Sequence, residues 1–308
     1  MLDRLPEVGV RLGGLPLSTA APHRRLSMLE PSRALLAGPV VVYLPGRWCN
    51  SRLWAVEEPR SDLRVALAAA GYPTVTVGYR SSEVDGEALT PGRIATVRTR
   101  HLLADVALVV ASVRRELKQR PVVLCGFSMG ATLAFLAAAD LPVQGVVAMD
   151  GGLPDGLTDS HDLVPTGVLA NPNRHHRHVR GALARISAPG TPAAVKDRLR
   201  WRLAQDRWWP AAQVSEIRSG LGDDATVLGD RLRDVTCPIL CFAADDRDPL
   251  DGLRAPRTAG RTRARQVRTV KLSGWCHEEV ATMPRSQDDG LFAHLDEFLQ
   301  QFGAHRGD

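Results

Sequence analysis

The chain has 308 residues, of which 44% are hydrophobic and 24% charged, as is usual for a globular protein with a large core. Its net charge of +5 comes almost entirely from arginine, without the basic, aromatic-interleaved runs of nucleic-acid platforms, so we interpret it as a solvated surface. Five cysteines, an odd number, favour free thiols in a reducing compartment over a disulfide framework.

The N-terminal segment contains Asp3 and Glu7 and has no continuous apolar run, which argues against a signal peptide. No apolar stretch approaches the roughly 18–20 residues that a membrane span requires. We therefore expect a cytoplasmic protein without a membrane span.

The first third of the chain alternates apolar runs with helical patterns. Residues 1–36 lack clear periodicity and are expected to hold one or two short edge strands. The pattern then predicts a buried strand at 39–44, a helix at 61–71 and a second strand at 74–79. A loop at 80–96 and an amphipathic helix at 97–117 follow.

Residues 121–131, PVVLCGFSMGA, combine a short apolar run, a glycine and a helix of small residues. They present Ser128 as G-x-S-x-G, the pattern of a nucleophile elbow, in which a serine hydroxyl stands on a sharp turn between strand and helix. Glycines on both sides let the strand and the helix approach each other closely. The pentapeptide alone is common by chance, but its strand-before, helix-after context favours the elbow. Another strand, 143–150, follows and ends at Asp150.

The strand pattern breaks at residues 153–232, which are rich in proline and glycine. It returns at 237–243 and 266–272, before a closing helix with Gly303 as its C-terminal cap. Alternating strands and helices predict an α/β fold with a mostly parallel central sheet flanked by helices. We assign residues 1–152 and 233–308 to one core, and residues 153–232 to a helical lid inserted between two of its strands.

An elbow serine needs a base and a group that orients the base, expected in the order Ser, Asp or Glu, His. Among nine histidines, only His277 follows the last strand within a glycine-containing loop, 29 residues after Asp248. The chain resembles the α/β-hydrolase fold family in three features: the elbow, the Asp-Arg-Asp-Pro turn that ends at Pro249, and the His277 loop. The resemblance extends from residue 39 to about residue 302.

The resemblance implies that Ser128 is the nucleophile, that His277 is the general base and later the acid, and that Asp248 orients His277. Asp248 matches the family's turn best. Three other carboxylates remain open: Asp246 is the principal alternative, Asp245 is less favoured, and Asp150 ends the preceding strand, where some family members place their acid.

The oxyanion formed during acyl transfer needs two backbone N–H donors. The resemblance implies the amide of Met129 and, from the loop after the 39–44 strand, the amide of Arg47, with Trp48 as a further contributor. Many family members have His-Gly in this loop, whereas this chain has Pro45-Gly46.

All six tryptophans fall in segments expected to rim the site. Side chains of this kind line apolar acyl or aryl pockets, although they pack a lid on a core equally well. The candidates for substrate binding are Trp48, Trp208, Trp209 and Trp275. The histidines at positions 175, 176 and 178 have no cysteine or carboxylate at a ligand-like spacing, so we predict neither a metal nor a cofactor.

Two classes of function remain open. The first is a serine hydrolase that cleaves a carboxylic ester or a related acyl substrate through an acyl-enzyme. Its variant is a thioesterase or acyltransferase, because Gly-x-Ser-Met-Gly-Ala also resembles the elbow of editing thioesterases, and the basic charge suits an acidic acyl carrier protein. The second class, a non-catalytic binding member of the fold, is disfavoured because nucleophile, acid and base candidates are all present.

Overall fold

The computed structural model describes fourteen segments of the chain. They are residues 3–5, 10–16, 25–31, 38–46, 63–79, 97–117, 120–153, 216–217, 220–222, 226–244, 253–275, 277, 279–282 and 291–303. Within them, no helix is long and apolar enough to cross a membrane.

One nine-stranded sheet forms the centre of the protein, in the order β1-β2-β3-β5-β4-β6-β7-β8-β9. Its strands are β1 (Asp3–Leu5), β2 (Val10–Pro16), β3 (Arg25–Pro31), β4 (Val40–Leu44), β5 (Thr74–Thr76), β6 (Val122–Phe127), β7 (Gly145–Met149), β8 (Ile239–Ala244) and β9 (Val267–Leu272). The six strands from β5 to β9 in this order pair in parallel, and β1 to β3 extend the sheet as antiparallel strands.

Helices cover the two faces of the parallel part. They are α1 (Leu63–Ala69), α2 (Thr99–Glu116), α3 (Met129–Asp140), α4 (Arg254–Gly260), the short α5 (Glu279–Thr282) and α6 (Leu291–Gln300), with a 3₁₀ helix at Leu228–Asp234. Alternate residues of β4 pack on opposite faces: Val40 and Val42 lie among α2 and α3, whereas Val41 and Tyr43 lie among α1 and α6. Burial on both faces explains why these strands are continuous apolar runs.

The helices follow the predicted patterns. Helix α2 buries Val106, Val110 and Val113, three of the positions that step by three and four along the sequence. Helix α3 is buried from Gly130 to Ala138, and all of these residues except Thr132 are glycine or apolar. Gly71, just after α1, has a φ of 99°, a conformation that glycine adopts most readily at a helix end.

The fold class predicted from sequence is therefore confirmed: this is an α/β protein with a mostly parallel central sheet flanked by helices. Two details differ. The N-terminal segment contributes three strands rather than one or two, and α4 and the 3₁₀ helix have no counterpart among the predicted elements.

The predicted lid, residues 153–232, lies largely outside the described segments, as do the loop 80–96 and the histidines at 175, 176 and 178. Near the end of the predicted lid, Ile217, Leu228 and Leu232 pack in the core, and Glu216 contacts α2. Glu216 accepts hydrogen bonds from the Thr99 backbone N–H (2.8 Å) and the Thr99 hydroxyl, and its Oε1 lies 3.7 Å from Arg98 Nε. Glu216 thus caps the N-terminus of α2.

Candidate active site

Ser128 stands on the turn between β6 and α3. Strand β6 ends at Phe127, helix α3 begins at Met129, and Ser128 between them has φ 55° and ψ −119°. An L-residue rarely adopts this conformation, because its Cβ is crowded there. The Ser128 N–H donates to the Met149 carbonyl at 2.9 Å, which ties the turn to β7. The strand, turn and helix expected of an elbow are present.

Two glycines let the elbow close. A Cβ on Gly126 would lie 2.2 Å from the Gly130 carbonyl oxygen, and a Cβ on Gly130 would lie 2.1 Å from the Leu44 carbonyl oxygen. Both distances are far below van der Waals contact. The first and last positions of G-x-S-x-G therefore require glycine because strand, helix and the end of β4 pack backbone against backbone.

The loop that begins after β4 touches the serine. A Cβ on Gly46 would lie 3.1 Å from the Ser128 Cβ, so the Gly46 backbone lies directly against the nucleophile candidate. The buried Tyr79 hydroxyl donates to the Pro45 carbonyl oxygen at 3.2 Å. Arg47, the predicted second oxyanion donor, follows Gly46 immediately and lies outside the described segments. Met129, the first donor candidate, opens α3, and the N–H of a first helical residue has no partner within its helix.

Asp150 lies at the end of β7 with its side chain only 3% exposed. Its Oδ1 accepts a hydrogen bond from the Ala244 N–H at 3.1 Å, and its Oδ2 lies 2.6 Å from His277 Nδ1. Both carboxylate oxygens are therefore engaged. An ionised carboxylate only accepts hydrogen bonds, so His277 Nδ1 carries a proton and donates it to this bond. That tautomer leaves Nε2 as the basic nitrogen of the ring.

The His277 ring packs beside the elbow. Its centroid lies 4.8 Å from that of Phe127, the residue before Ser128, and the two planes are inclined by 32°. The backbone that follows Asp150 also reaches the elbow, since a Cβ on Gly151 would lie 2.0 Å from the Ser128 carbonyl oxygen. Ser128, Asp150 and His277 are thus held by three directly contacting segments.

The other predicted site residues have different outcomes. Asp248, Asp246 and Asp245 lie outside the described segments, as do Trp48, Trp208 and Trp209, so their proposed roles stay predictions. Trp275 is described: it is partly buried and packs against the core on the α1–α6 face. Among the described residues, Asp150, an alternative at the sequence level, contacts His277 through its carboxylate. The sequence signal for it is its position directly after a buried strand.

The cysteines of the described segments are buried or partly buried. These segments contain no group of three or more His, Cys, Asp or Glu side chains able to hold a metal ion. Burial raises the pKa of the Cys125 and Cys241 thiols to about 12 and that of Cys237 to about 11. These three cysteines are free, and their thiols are protonated at neutral pH.

Solved structures of similar fold include several hydrolases. A membrane phospholipase A described as a bacterial virulence factor shares 16% identity with a TM-score of 0.62, covering 96% of this chain and 86% of its own. E-2-(acetamidomethylene)succinate hydrolase shares 20% identity with a TM-score of 0.57, covering 94% and 98%. The thioesterase domain from the curacin biosynthetic pathway shares 18% identity with a TM-score of 0.53, covering 90% and 95%.

These identities show a shared fold and leave the substrate open. No curated protein sequence matches the chain. The model of the alpha/beta hydrolase family, however, matches residues 41–287, which span the elbow, β7 and the His277 loop. The match covers most of the chain and confirms that the protein is an enzyme of the hydrolase type. The chain belongs to the alpha/beta hydrolase family.

Proposed function

We propose that the protein hydrolyses a carboxylic ester or a related acyl substrate through an acyl-enzyme on Ser128, with Asp150 as the acid of the triad. The observation that carries this proposal is the 2.6 Å contact between His277 Nδ1 and the buried Asp150 Oδ2, beside a serine in a strained turn. The alternative acids predicted from sequence are the aspartates of the loop after β8, Asp248, Asp246 and Asp245.

In the proposed reaction, Ser128 Oγ attacks the acyl carbonyl carbon while His277 Nε2 takes the hydroxyl proton. The N–H groups of Met129 and Arg47 stabilise the oxyanion. Collapse of the tetrahedral intermediate breaks the bond to the leaving alcohol, which receives the proton from His277. Water, deprotonated by His277, then attacks the acyl-enzyme and releases the carboxylic acid and Ser128.

Asp150 supports both steps because a buried carboxylate stabilises the imidazolium that forms on His277. The Asp150 carboxylate is buried and the His277 side chain is partly exposed, so this pair is screened by solvent on the His277 side only. The Ala244 N–H fixes the carboxylate from the other side, so Asp150 holds the His277 ring in one orientation and one tautomer.

A fluorophosphonate probe tests the nucleophile. We expect it to label the wild-type protein and not Ser128→Ala. Turnover of short p-nitrophenyl esters should fall by about 10⁴-fold or more in Ser128→Ala and in His277→Ala. Circular dichroism and thermal melting show whether each variant is folded. A folded wild-type protein that is not labelled would rule out an activated serine.

The acid is tested by comparing three asparagine variants. We expect Asp150→Asn to lower kcat by roughly 10³–10⁴-fold, because His277 loses its charge partner and its tautomer. Asp246→Asn and Asp248→Asn should stay within a few-fold of the wild type. A large loss in Asp248→Asn with a small one in Asp150→Asn would return the acid role to the loop after β8.

A thioester substrate is the second candidate. It is supported by the likeness to the curacin thioesterase domain and by the resemblance of the elbow to editing thioesterases. A panel of matched acyl esters, thioesters and carrier-protein thioesters separates the two: the preferred leaving group is the one with the highest kcat/KM. Docking on an acyl carrier protein and a cytoplasmic location stay predictions.

A further inference from the structure

The turn that carries Asp150 is held by two threonine hydroxyls from two different helices. We propose that Thr258 and Thr132 are positioning residues that keep the Asp150 carboxylate directed at His277. This inference rests on the proposed role of Asp150 and adds residues that no sequence motif of the site includes.

The two hydroxyls bind the two ends of one peptide group. Thr132 Oγ1, on α3, donates to the Gly152 carbonyl oxygen at 3.0 Å. Thr258 Oγ1, on α4, accepts a hydrogen bond from the Leu153 N–H at 2.9 Å and donates to the Leu153 carbonyl oxygen at 3.3 Å. The peptide group between Gly152 and Leu153 therefore cannot rotate without breaking hydrogen bonds on both sides.

Both threonines are almost completely buried, at 1% and 0% exposure for Thr132 and Thr258. A buried hydroxyl is unfavourable unless it forms hydrogen bonds, and a helical threonine commonly bonds a carbonyl of its own preceding turn. Here each hydroxyl reaches outside its helix to the same short segment. Space is tight as well, since a Cβ on Gly152 would lie 2.4 Å from Thr258 Oγ1.

Asp150 needs such support because its φ is 49°, in the left-handed region that non-glycine residues seldom occupy. The preceding side of the turn is fixed by the Asp150 N–H, which donates to the Phe242 carbonyl at 2.9 Å. The following side is fixed by the two threonines. If the following side relaxes, Asp150 can leave the left-handed region, and its Oδ2 then moves away from His277 Nδ1.

The arrangement also couples the acid to the nucleophile. Thr132 lies on α3 four residues after Ser128, so the helix that begins at the nucleophile also binds the turn of the acid. A displacement of one relative to the other is therefore opposed by a direct hydrogen bond. Misplacement by about 1 Å at a catalytic group is enough to cost roughly 100-fold in rate.

The experiment compares Thr258→Val, which keeps the volume and removes the hydroxyl, with Thr258→Ser, which keeps the hydroxyl. We expect Thr258→Val to lower kcat by roughly 10- to 100-fold with little change in KM. The acidic limb of its pH–kcat/KM profile should move to lower pH, because the imidazolium loses its carboxylate. Thr258→Ser should restore both properties. Thr74→Val is the matched control, since Thr74 is a buried threonine whose hydroxyl bonds the Tyr72 carbonyl at the opposite end of the parallel strands.

Proton NMR provides a readout that does not depend on turnover. The His277 Nδ1 proton, deshielded by the Asp150 carboxylate, should give a low-field signal in the wild type and not in Asp150→Asn. We expect it to weaken or shift in Thr258→Val and to return in Thr258→Ser. Wild-type kinetics, pH profile and NMR signal in Thr258→Val would overturn the proposal. If Thr258→Val does not fold, Thr132→Val decides by the same measurements.

This design separates the inference from the proposed function. An unlabelled wild-type serine would refute the hydrolase reaction, while the NMR signal would still test the threonine clamp. An active, labelled enzyme whose Thr258→Val variant behaves like Thr74→Val would refute the clamp alone.

Discussion

Ser128 and Asp150 share a backbone property: each has a positive φ, 55° and 49°, and no other non-glycine residue in the described segments does. Conformations of this kind cost of order 1–3 kcal/mol each and persist where the surroundings impose them. Here the Ser128 N–H donates to the Met149 carbonyl and the Asp150 N–H donates to the Phe242 carbonyl, and these hydrogen bonds impose the conformation. Within the described segments, the residues to which we assign nucleophile and acid roles are thus the two non-glycine residues with this backbone conformation.

The strain at Ser128 is measurable as stability. We expect Ser128→Gly to be more stable than Ser128→Ala by about 1 kcal/mol. Glycine has no Cβ to be crowded, but its unfolded chain has more conformational entropy, which offsets part of this stabilisation. Urea unfolding of the two variants measures the difference. Both lack the nucleophile, so the comparison isolates the backbone, and equal stabilities would contradict the strain.

At the scale of elements, the parallel strands converge on the site at their C-terminal ends. Strand β4 brings Gly46 to the serine, β6 brings the elbow, β7 brings Asp150, and the loop after β9 brings His277. Gly46, Ser128 and Asp150 follow strands that are buried along their whole length, whereas His277 follows β9, in which only Leu272 is buried.

The loop after β4 offers an element-scale prediction. We expect Tyr79→Phe to lower kcat by about 10-fold with KM nearly unchanged, because the Pro45 carbonyl loses its hydrogen bond and the oxyanion loop loosens. Binding of a trifluoromethyl ketone, which mimics the tetrahedral intermediate, should weaken in parallel.

Tyr72→Phe is the control for this prediction. Tyr72 is also buried, and its hydroxyl donates to Asp296 Oδ1 at 2.5 Å, in the contact between the segment after α1 and helix α6. Its loss should lower stability and leave kcat unchanged. If Tyr79→Phe behaves in the same way, the hydroxyl has no part in holding the oxyanion loop.

At the scale of the molecule, two apolar cores lie on opposite faces of one sheet, which explains why its central strands were predictable from sequence. Strands such as β4 and β6 are buried on both faces and are therefore continuous apolar runs that composition alone reveals. The N-terminal strands were harder to count. Strand β2, VRLGGLP, contains two glycines and a proline, and its pairing is an antiparallel extension at the sheet edge.

The nucleophile and base candidates are predictable from local sequence, whereas the choice of acid is not. Ser128 and His277 have motifs in local sequence. An aspartate directly after a strand, however, occurs both at Asp150 and at Asp245–Asp248, so local sequence does not decide between them. Thr132 and Thr258 carry no sequence signal at all, because a buried threonine that binds backbone resembles any other threonine.

One whole-molecule prediction concerns the contact between Glu216, near the end of the predicted lid, and the N-terminus of α2. We expect Glu216→Ala to lower the free energy of unfolding by about 1 kcal/mol, because α2 loses its N-terminal cap. Glu216→Gln, which keeps an acceptor but not the charge, should lose less. Urea unfolding measures both, and an unchanged stability in Glu216→Ala would show that the cap contributes nothing.

The proposed acid has a consequence for how this scaffold diversifies. Ser128 and Asp150 belong to one continuous β6–α3–β7 unit that ends before the predicted lid begins. If Asp150, directly after β7, is the acid, Asp245–Asp248 have no role in catalysis. Substitutions there, as in the predicted lid, should then leave the catalytic residues unaffected. Residues 154–215 and the turn after β8 could therefore be replaced by the corresponding segments of a relative. Ser128 and Asp150 would both stay in the unchanged β6–α3–β7 unit.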